Sequence, residues 1–155
     1  MIVADNTLLC HFFLRSDLEE MARQVRAQDG DWIVPSLWRS EFANAIVKAY
    51  WACPDPLELY HQAWDSACAV LTPCEQPVDF HAVVRLGAKH HISAYDAQYV
   101  YLAQKFGIPL VTEDVKLQRK FPASAISMAA FLKAGPGTAV IRERRATYRV
   151  TRRGR

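Results

Sequence analysis

Apolar positions along this chain alternate between short runs and helical spacing. Ile2–Asp5 is a short apolar run that ends on an acid and reads as a buried strand. Thr7–Leu14 reads as a helix, and Ser16-Asp17-Leu18-Glu19 has the spacing of a capping box for a second helix, running to about Gln28 with Gly30 placed to stop it. Trp32-Ile33-Val34 is a second short strand, closed by Pro35. Ser36 is placed to cap the next helix, in which Trp38, Phe42, Ala45, Ile46 and Ala49 recur at helical spacing. Asp55-Pro56 puts proline at a first helical position, and Leu57, Tyr60, Trp64, Ala67, Cys68 and Leu71 continue as one apolar stripe.

Thr72–Val78, with Pro73 and Pro77, is a loop or edge strand. Asp79 caps a helix through Phe80, Val83, Val84 and Leu86. Ser93-Ala94-Tyr95-Asp96 is a second capping pattern, for a helix to about Phe106 that Gly107 ends. Ile108–Thr112 is a strand running into Glu113-Asp114, Val115–Phe121 a short helix, and Ala125–Ser127 a last strand before a Met128–Leu132 helix. Strands alternating with helices imply parallel βαβ units and an α/β sandwich. Gly135-Pro136-Gly137 marks a boundary, giving a domain over residues 1–134 and a tail over residues 135–155.

With 155 residues, 51% hydrophobic and 23% charged, the chain can bury a core without a metal or disulfide staple. Cys10, Cys53, Cys68 and Cys74 have irregular spacings and read as reduced thiols rather than zinc ligands. No apolar stretch approaches the ~18–20 residues of a bilayer span. Met1–Asp5 lacks a basic leader and reaches an acid too early for a signal peptide, so a cytoplasmic protein without membrane contact is expected. The net charge of +3 conceals an asymmetry: residues 141–155 hold seven arginines against Glu143 alone, so a domain of net −3 carries a strongly basic tail.

Four acids stand out by position. Asp5 and Asp114 follow strands, and ligands of an open parallel sheet collect at the carboxyl ends of its strands. Asp96 lies in the first turn of its helix, where the dipole favours negative charge. Glu41 falls between Trp38 and Ala45 on a face that should be buried. Taken singly, each has an ordinary reading: an acid after a strand turns the chain or caps a helix, Asp96 can be the partner of Ser93, and Glu41 can be solvated at the edge of its stripe. Taken together they suggest a divalent-metal site, and oxygen-only ligands favour Mg²⁺ or Mn²⁺ over zinc. The chemistry suited to such a site is in-line attack of water on a phosphodiester.

Asp5-Asn6-Thr7, Pro35-Ser36-Leu37-Trp38-Arg39-Ser40-Glu41-Phe42-Ala43-Asn44, Ser93-Ala94-Tyr95-Asp96-Ala97 and Leu110-Val111-Thr112-Glu113-Asp114 strongly resemble the PIN-domain family, in particular the VapC-type toxins of toxin–antitoxin pairs. The resemblance covers roughly residues 1–133 in the family's order, and is most specific from Ser93 to Asp114. It implies a three-layer α/β/α sandwich with a short parallel sheet, Mg²⁺-dependent (or Mn²⁺-dependent) endoribonuclease activity, an RNA substrate, an antitoxin protein as partner, and a homodimer. By position it implies that Asp5, Glu41, Asp96 and Asp114 surround the metal, with Thr112 orienting ligands or water, and Asn44 and Thr7 supporting them. Glu113 adds a fifth acid that competes with Asp114 for the metal.

An apolar face carrying Leu57, Tyr60 and Trp64 is the expected dimer contact. Arg142, Arg144, Arg145 and Arg149 are candidate RNA contacts that would offset the acidic cleft, or part of a strand docking on a neighbouring subunit. His90-His91 reads as a solvated helix end, and no glycine-rich nucleotide loop is present. Two alternatives stand beside the toxin: a PIN-like module that binds RNA or protein without cutting, and a housekeeping RNA-processing nuclease.

Overall fold

The computed structural model describes residues 1–135, so the basic tail and its arginines, Arg142, Arg144, Arg145 and Arg149 among them, lie outside the described residues. Four short strands, β1 (Ile2–Ala4), β2 (Trp32–Ile33), β3 (Leu110–Val111) and β4 (Ala125–Ile126), form one parallel sheet in the order β2-β1-β3-β4. Eight helices connect them: α1 (Asn6–Phe13), α2 (Glu19–Gln28), α3 (Trp38–Ala52), α4 (Leu57–Leu71), α5 (Phe80–His90), α6 (Ala94–Phe106), α7 (Val115–Lys120) and α8 (Met128–Ala134). A 3₁₀ turn at Thr72–Cys74 follows α4, and Glu75 then makes a single parallel bridge with Val34.

Alternation along the strands divides the core into two layers. Ile2, Ala4, Trp32, Val111 and Ile126 face one side, against α1, α2, α4, α8 and the Trp38 and Phe42 end of α3. Val3, Ile33, Leu110 and Ala125 face the other, against Tyr99, Val100, Leu102 and Ala103 of α6 and Leu117 of α7. The result is the expected α/β/α sandwich. Among the described residues no helix is long and apolar enough to cross a membrane.

Several local signals act differently from their sequence reading. The Ser16 hydroxyl bonds His11 Nδ1 at 3.0 Å rather than capping α2, whose N-terminus at Leu18 has no side-chain cap. α2 ends at Asp29 in extended geometry, without a left-handed glycine. Ser36 does not cap α3; the helix begins at Trp38, its first turn tied by backbone bonds to Pro35 and Ser36. Pro56 occupies the cap position of α4, not its first turn. By contrast Asp79, Ser93 and Asp114 do cap their helices, and Gly107 ends α6 at φ 65°.

Packing turns two of the three residues of the expected dimer face inward. Tyr60 is buried, its hydroxyl donating to the Cys53 carbonyl at 2.6 Å, and Trp64 stacks on Trp38 and Phe42 at 5.7 and 6.4 Å between ring centres. Those side chains turn inward; of the three only Leu57 is exposed. His90-His91 is a helix end, as read: α5 stops at His90, whose partly exposed ring also packs on Phe121, while His91 is exposed in the left-handed cap position at φ 52° and Lys120 Nζ donates to both histidine carbonyls.

Candidate functional site

Strand register builds the centre of the site. Val3 pairs with Leu110 and Ala4 with Val111, so the next step brings Asp5 beside Thr112 at the carboxyl ends of β1 and β3. Asp5 is buried and accepts three hydrogen bonds: Asn6 N at 2.7 Å on Oδ1, and the Thr7 and Thr112 hydroxyls at 3.0 and 2.5 Å on Oδ2. Each hydroxyl also accepts a backbone N–H from the turn after β3, Thr7 from Glu113 and Thr112 from Asp114, both at 3.0 Å. Gln118 Nε2 donates to the Thr112 carbonyl at 2.8 Å and fixes the same turn. Thr112, read from sequence as orienting ligands or water, is fully buried and donates its hydroxyl to Asp5, so it holds that carboxylate in place.

Glu41 lies in the first turn of α3 and is half-buried. The start of that helix is pinned by Glu75, whose Oε1 accepts from Trp38 Nε1 at 2.8 Å and Arg39 Nε at 2.7 Å. Tyr99, on α6, donates its hydroxyl to Glu41 Oε2 at 2.6 Å. Asp96 is in the first turn of α6, its N–H bonded to the Ser93 hydroxyl at 3.0 Å. Only half of the capping box forms: among the described residues the Asp96 carboxylate takes no hydrogen bond, which leaves it available to the site.

Asp5 and Glu41 both feel the charge of Asp96. Burial pushes the Asp5 carboxyl above its ordinary value of 3.8, the bonds from Thr112, Thr7 and Asn6 oppose the rise, and the charge of Asp96 adds to it. Burial likewise raises Glu41 above 4.5, with Tyr99 opposing and Asp5 and Asp96 adding. Cys10, on α1, is pushed up to about 11 by burial and by the charges of Asp5 and Glu41. It stays a protonated thiol, unsuited to act as a nucleophile at neutral pH.

Asp114 and Glu113 have separate partners. Asp114 Oδ1 accepts from Lys116 N at 2.6 Å and Leu117 N at 3.1 Å and so caps α7. Glu113 Oε1 accepts from Met128 N at 2.8 Å at the start of α8, which gives the fifth acid a structural task away from its neighbour's. Asn44 is exposed and makes no hydrogen bond among the described residues, so the structure does not bring it into the network. Sequence reasoning missed Tyr99, Cys10 and Gln118. Tyr99 alone carried a usable signal, since it lies one helical turn beyond Asp96 and so on its face.

Among the described residues no three His, Cys, Asp or Glu side chains converge closely enough to cage a metal by themselves. The donor chemistry is nonetheless that of a hard cation, carboxylates of raised pKa, and next to Asp5 in the chain the Asn6 Oδ1 is buried and without a hydrogen-bond partner among the described residues. A hydrated ion such as Mg²⁺, which keeps several waters and takes one or two carboxylates directly, needs no closed cage.

Comparison with known proteins accords with this architecture. Over 38 residues the chain is 53% identical to Ribonuclease VapC3 of Pyrobaculum aerophilum, a match covering 24% of this chain and 29% of that protein. The chain thus spans under a third of the length of the curated relative it matches. The crystal structure of PAE2754 from Pyrobaculum aerophilum superposes with a TM-score of 0.68, covering 85% of this chain and 93% of that one at 19% identity, a likeness of fold. The PIN domain profile matches residues 2–121, from the first residue of β1 to the residue that follows α7, and the chain belongs to the PIN-domain family.

Proposed function

We propose that this chain is a metal-dependent endoribonuclease, the toxin of a toxin–antitoxin pair, that it cleaves RNA with water as nucleophile, and that it acts in the cytoplasm as a homodimer held in check by an antitoxin protein. The observation that carries the reading is the burial of Asp5 and Glu41 within reach of the charge of Asp96: burial foremost, and like charge after it, raises both carboxyls, and a cation would relieve both effects. The likeness to a protein named as a ribonuclease supports the substrate class.

Asp5, Glu41, Asp96 and Asp114 are the residues that would hold Mg²⁺ or Mn²⁺. Such an ion supplies a water of lowered pKa and a counter-charge for the oxygens of a phosphodiester. Asp5 presents a fixed carboxylate, since Thr7, Thr112 and Asn6 leave it one of about four lone-pair positions. Tyr99 fixes Glu41, the N-terminus of α6 supports the charge of Asp96, and Asp114 keeps Oδ2 while Oδ1 caps α7.

A second reading, a PIN-like module that binds RNA or a protein without cutting, draws on the open spacing of the acids. Incubating the purified chain with structured RNAs in Mg²⁺, Mn²⁺ or EDTA separates the two. Cleavage in Mg²⁺ or Mn²⁺ that stops in EDTA supports the nuclease; binding without cleavage supports the module, and cleavage that persists in EDTA overturns the metal mechanism. A small protein encoded beside this chain that blocks cleavage would distinguish a toxin from a housekeeping nuclease. Light scattering tests the dimer against a monomer of 17.6 kDa.

A further inference from the structure

Tyr99 follows Asp96 by one turn of α6, so the two side chains leave the helix on neighbouring positions of one face. Its ring is only 1% exposed and packs among the apolar side chains of the α6 layer. A phenylalanine would fill that space equally well, and a buried hydroxyl is costly unless it is bonded. The partner the hydroxyl finds is Glu41 Oε2, at 2.6 Å and 58 residues away on α3.

The bond is not needed to seat α3. Trp38 and Arg39, three and two residues before Glu41, already anchor the start of that helix through Glu75. What remains for Tyr99 to fix is the carboxylate itself, whose long side chain otherwise samples several rotamers. We propose that Tyr99 is a positioning residue for metal capture: it holds the Glu41 carboxylate by one oxygen, leaves the other to face the acids, and sets the spacing of Glu41 from Asp96 on its own helix. This rests on the reading of the acids as a metal site. Charge-assisted bonds of this kind are short and orient their acceptor, and partners that orient metal-binding groups contribute strongly to affinity.

The test is Mn²⁺ binding by calorimetry on the full chain, for wild type, Tyr99→Phe, Glu41→Gln and the double variant. Tyr99→Phe is expected to weaken Mn²⁺ binding about tenfold, with a melting temperature in EDTA close to that of wild type. In the Glu41→Gln background the same change should alter Mn²⁺ affinity little, because a residue acting through Glu41 has nothing left to position. Wild-type affinity in Tyr99→Phe, or losses that simply add in the double variant, would make the hydroxyl a strut of the core and overturn the proposal. The same conclusion follows if melting in EDTA collapses while Mn²⁺ affinity is kept. If wild type itself binds no Mn²⁺, the metal reading of the acids falls and this assignment falls with it; wild-type binding with an unaffected Tyr99→Phe removes this assignment alone.

Discussion

Thr112 Oγ1 donates to Asp5 Oδ2 at 2.5 Å, joining the carboxyl ends of β3 and β1 across 107 residues of chain. The same hydroxyl accepts the N–H of Asp114, so one buried side chain links the acid after the first strand to the acid after the third. Parallel pairing does this work. It sets Asp5 and Thr112 side by side before any side-chain preference is considered.

Replacing Thr112 with valine keeps its shape and removes both bonds. Asp5 then loses a donor within a desolvated setting, and the Asp114 N–H loses its acceptor. The expected cost is about 1–3 kcal/mol in urea unfolding, with Thr112→Ser retaining most of the stability. Equal stability of Thr112→Val and wild type would show that the hydroxyl holds nothing.

The raised carboxyls of Asp5 and Glu41 make stability depend on pH in a definite direction. As pH rises from 3.8 for Asp5, or 4.5 for Glu41, toward each raised folded value, the unfolded chain has released protons that the folded chain keeps. Folded protein then binds more protons than unfolded, and stability falls with rising pH through that window and stays lowered above it. In EDTA, the stability of Asp5→Asn relative to wild type should therefore increase as pH climbs through the window. A difference that is flat across pH would count against the burial of a charged Asp5.

Neighbouring acids should separate by function. Glu113→Ala removes the acceptor of the Met128 N–H at the start of α8, and a lost helix-terminal acceptor costs about 1 kcal/mol. It should leave the rise in melting temperature on adding Mn²⁺ unchanged. Asp114→Asn retains an oxygen to cap α7 but loses the charge, and should shrink that rise. Thermal melts of both variants with and without Mn²⁺ check this; the reverse pattern would assign the metal to Glu113.

The layered fold and the location of the acids were legible in the sequence because each rests on local grammar. Strand runs end at Asp5 and at Glu113-Asp114, and Ser93 and Gly107 bracket α6 as their chemistry requires. What could not be read is how long-range partners compete for polar side chains. Ser16 has the spacing of a cap, yet His11 takes its hydroxyl; Glu113 and Asp114 are adjacent, yet one turns to α8 and the other to α7. Nor does a helical stripe tell which neighbour covers it, and so Tyr60 and Trp64 looked like a dimer face while filling the contact between α4 and α3.

That packing carries its own prediction. Trp64 stacks on two aromatic rings of α3, so Trp64→Ala should destabilise the fold by ~3–5 kcal/mol. Light scattering under conditions where the variant remains folded should return the wild-type oligomeric state. A variant that keeps its melting temperature but loses a dimer would restore Trp64 to an interface.

The arginines of the tail are proposed to contact RNA, on charge alone. Residues 1–140 sum to −3, and grouped carboxylates repel a phosphate backbone wherever bound metal does not neutralise them. Seven arginines beyond residue 141 supply the opposite sign within the same chain. Each phosphate contact on a single strand contributes a slope of about −0.7 to the dependence of log affinity on log salt. Replacing Arg142, Arg144, Arg145 and Arg149 by glutamine in the full chain should therefore weaken RNA binding at low salt and flatten that slope by up to ~2.8 if all four touch phosphate. Metal-induced stabilisation should be unaffected, because the acids at the sheet are untouched. Filter binding across a salt series reads both quantities. An unchanged slope would place the arginines off the RNA, and an unchanged slope accompanied by loss of the dimer would assign them to the docking of a second subunit.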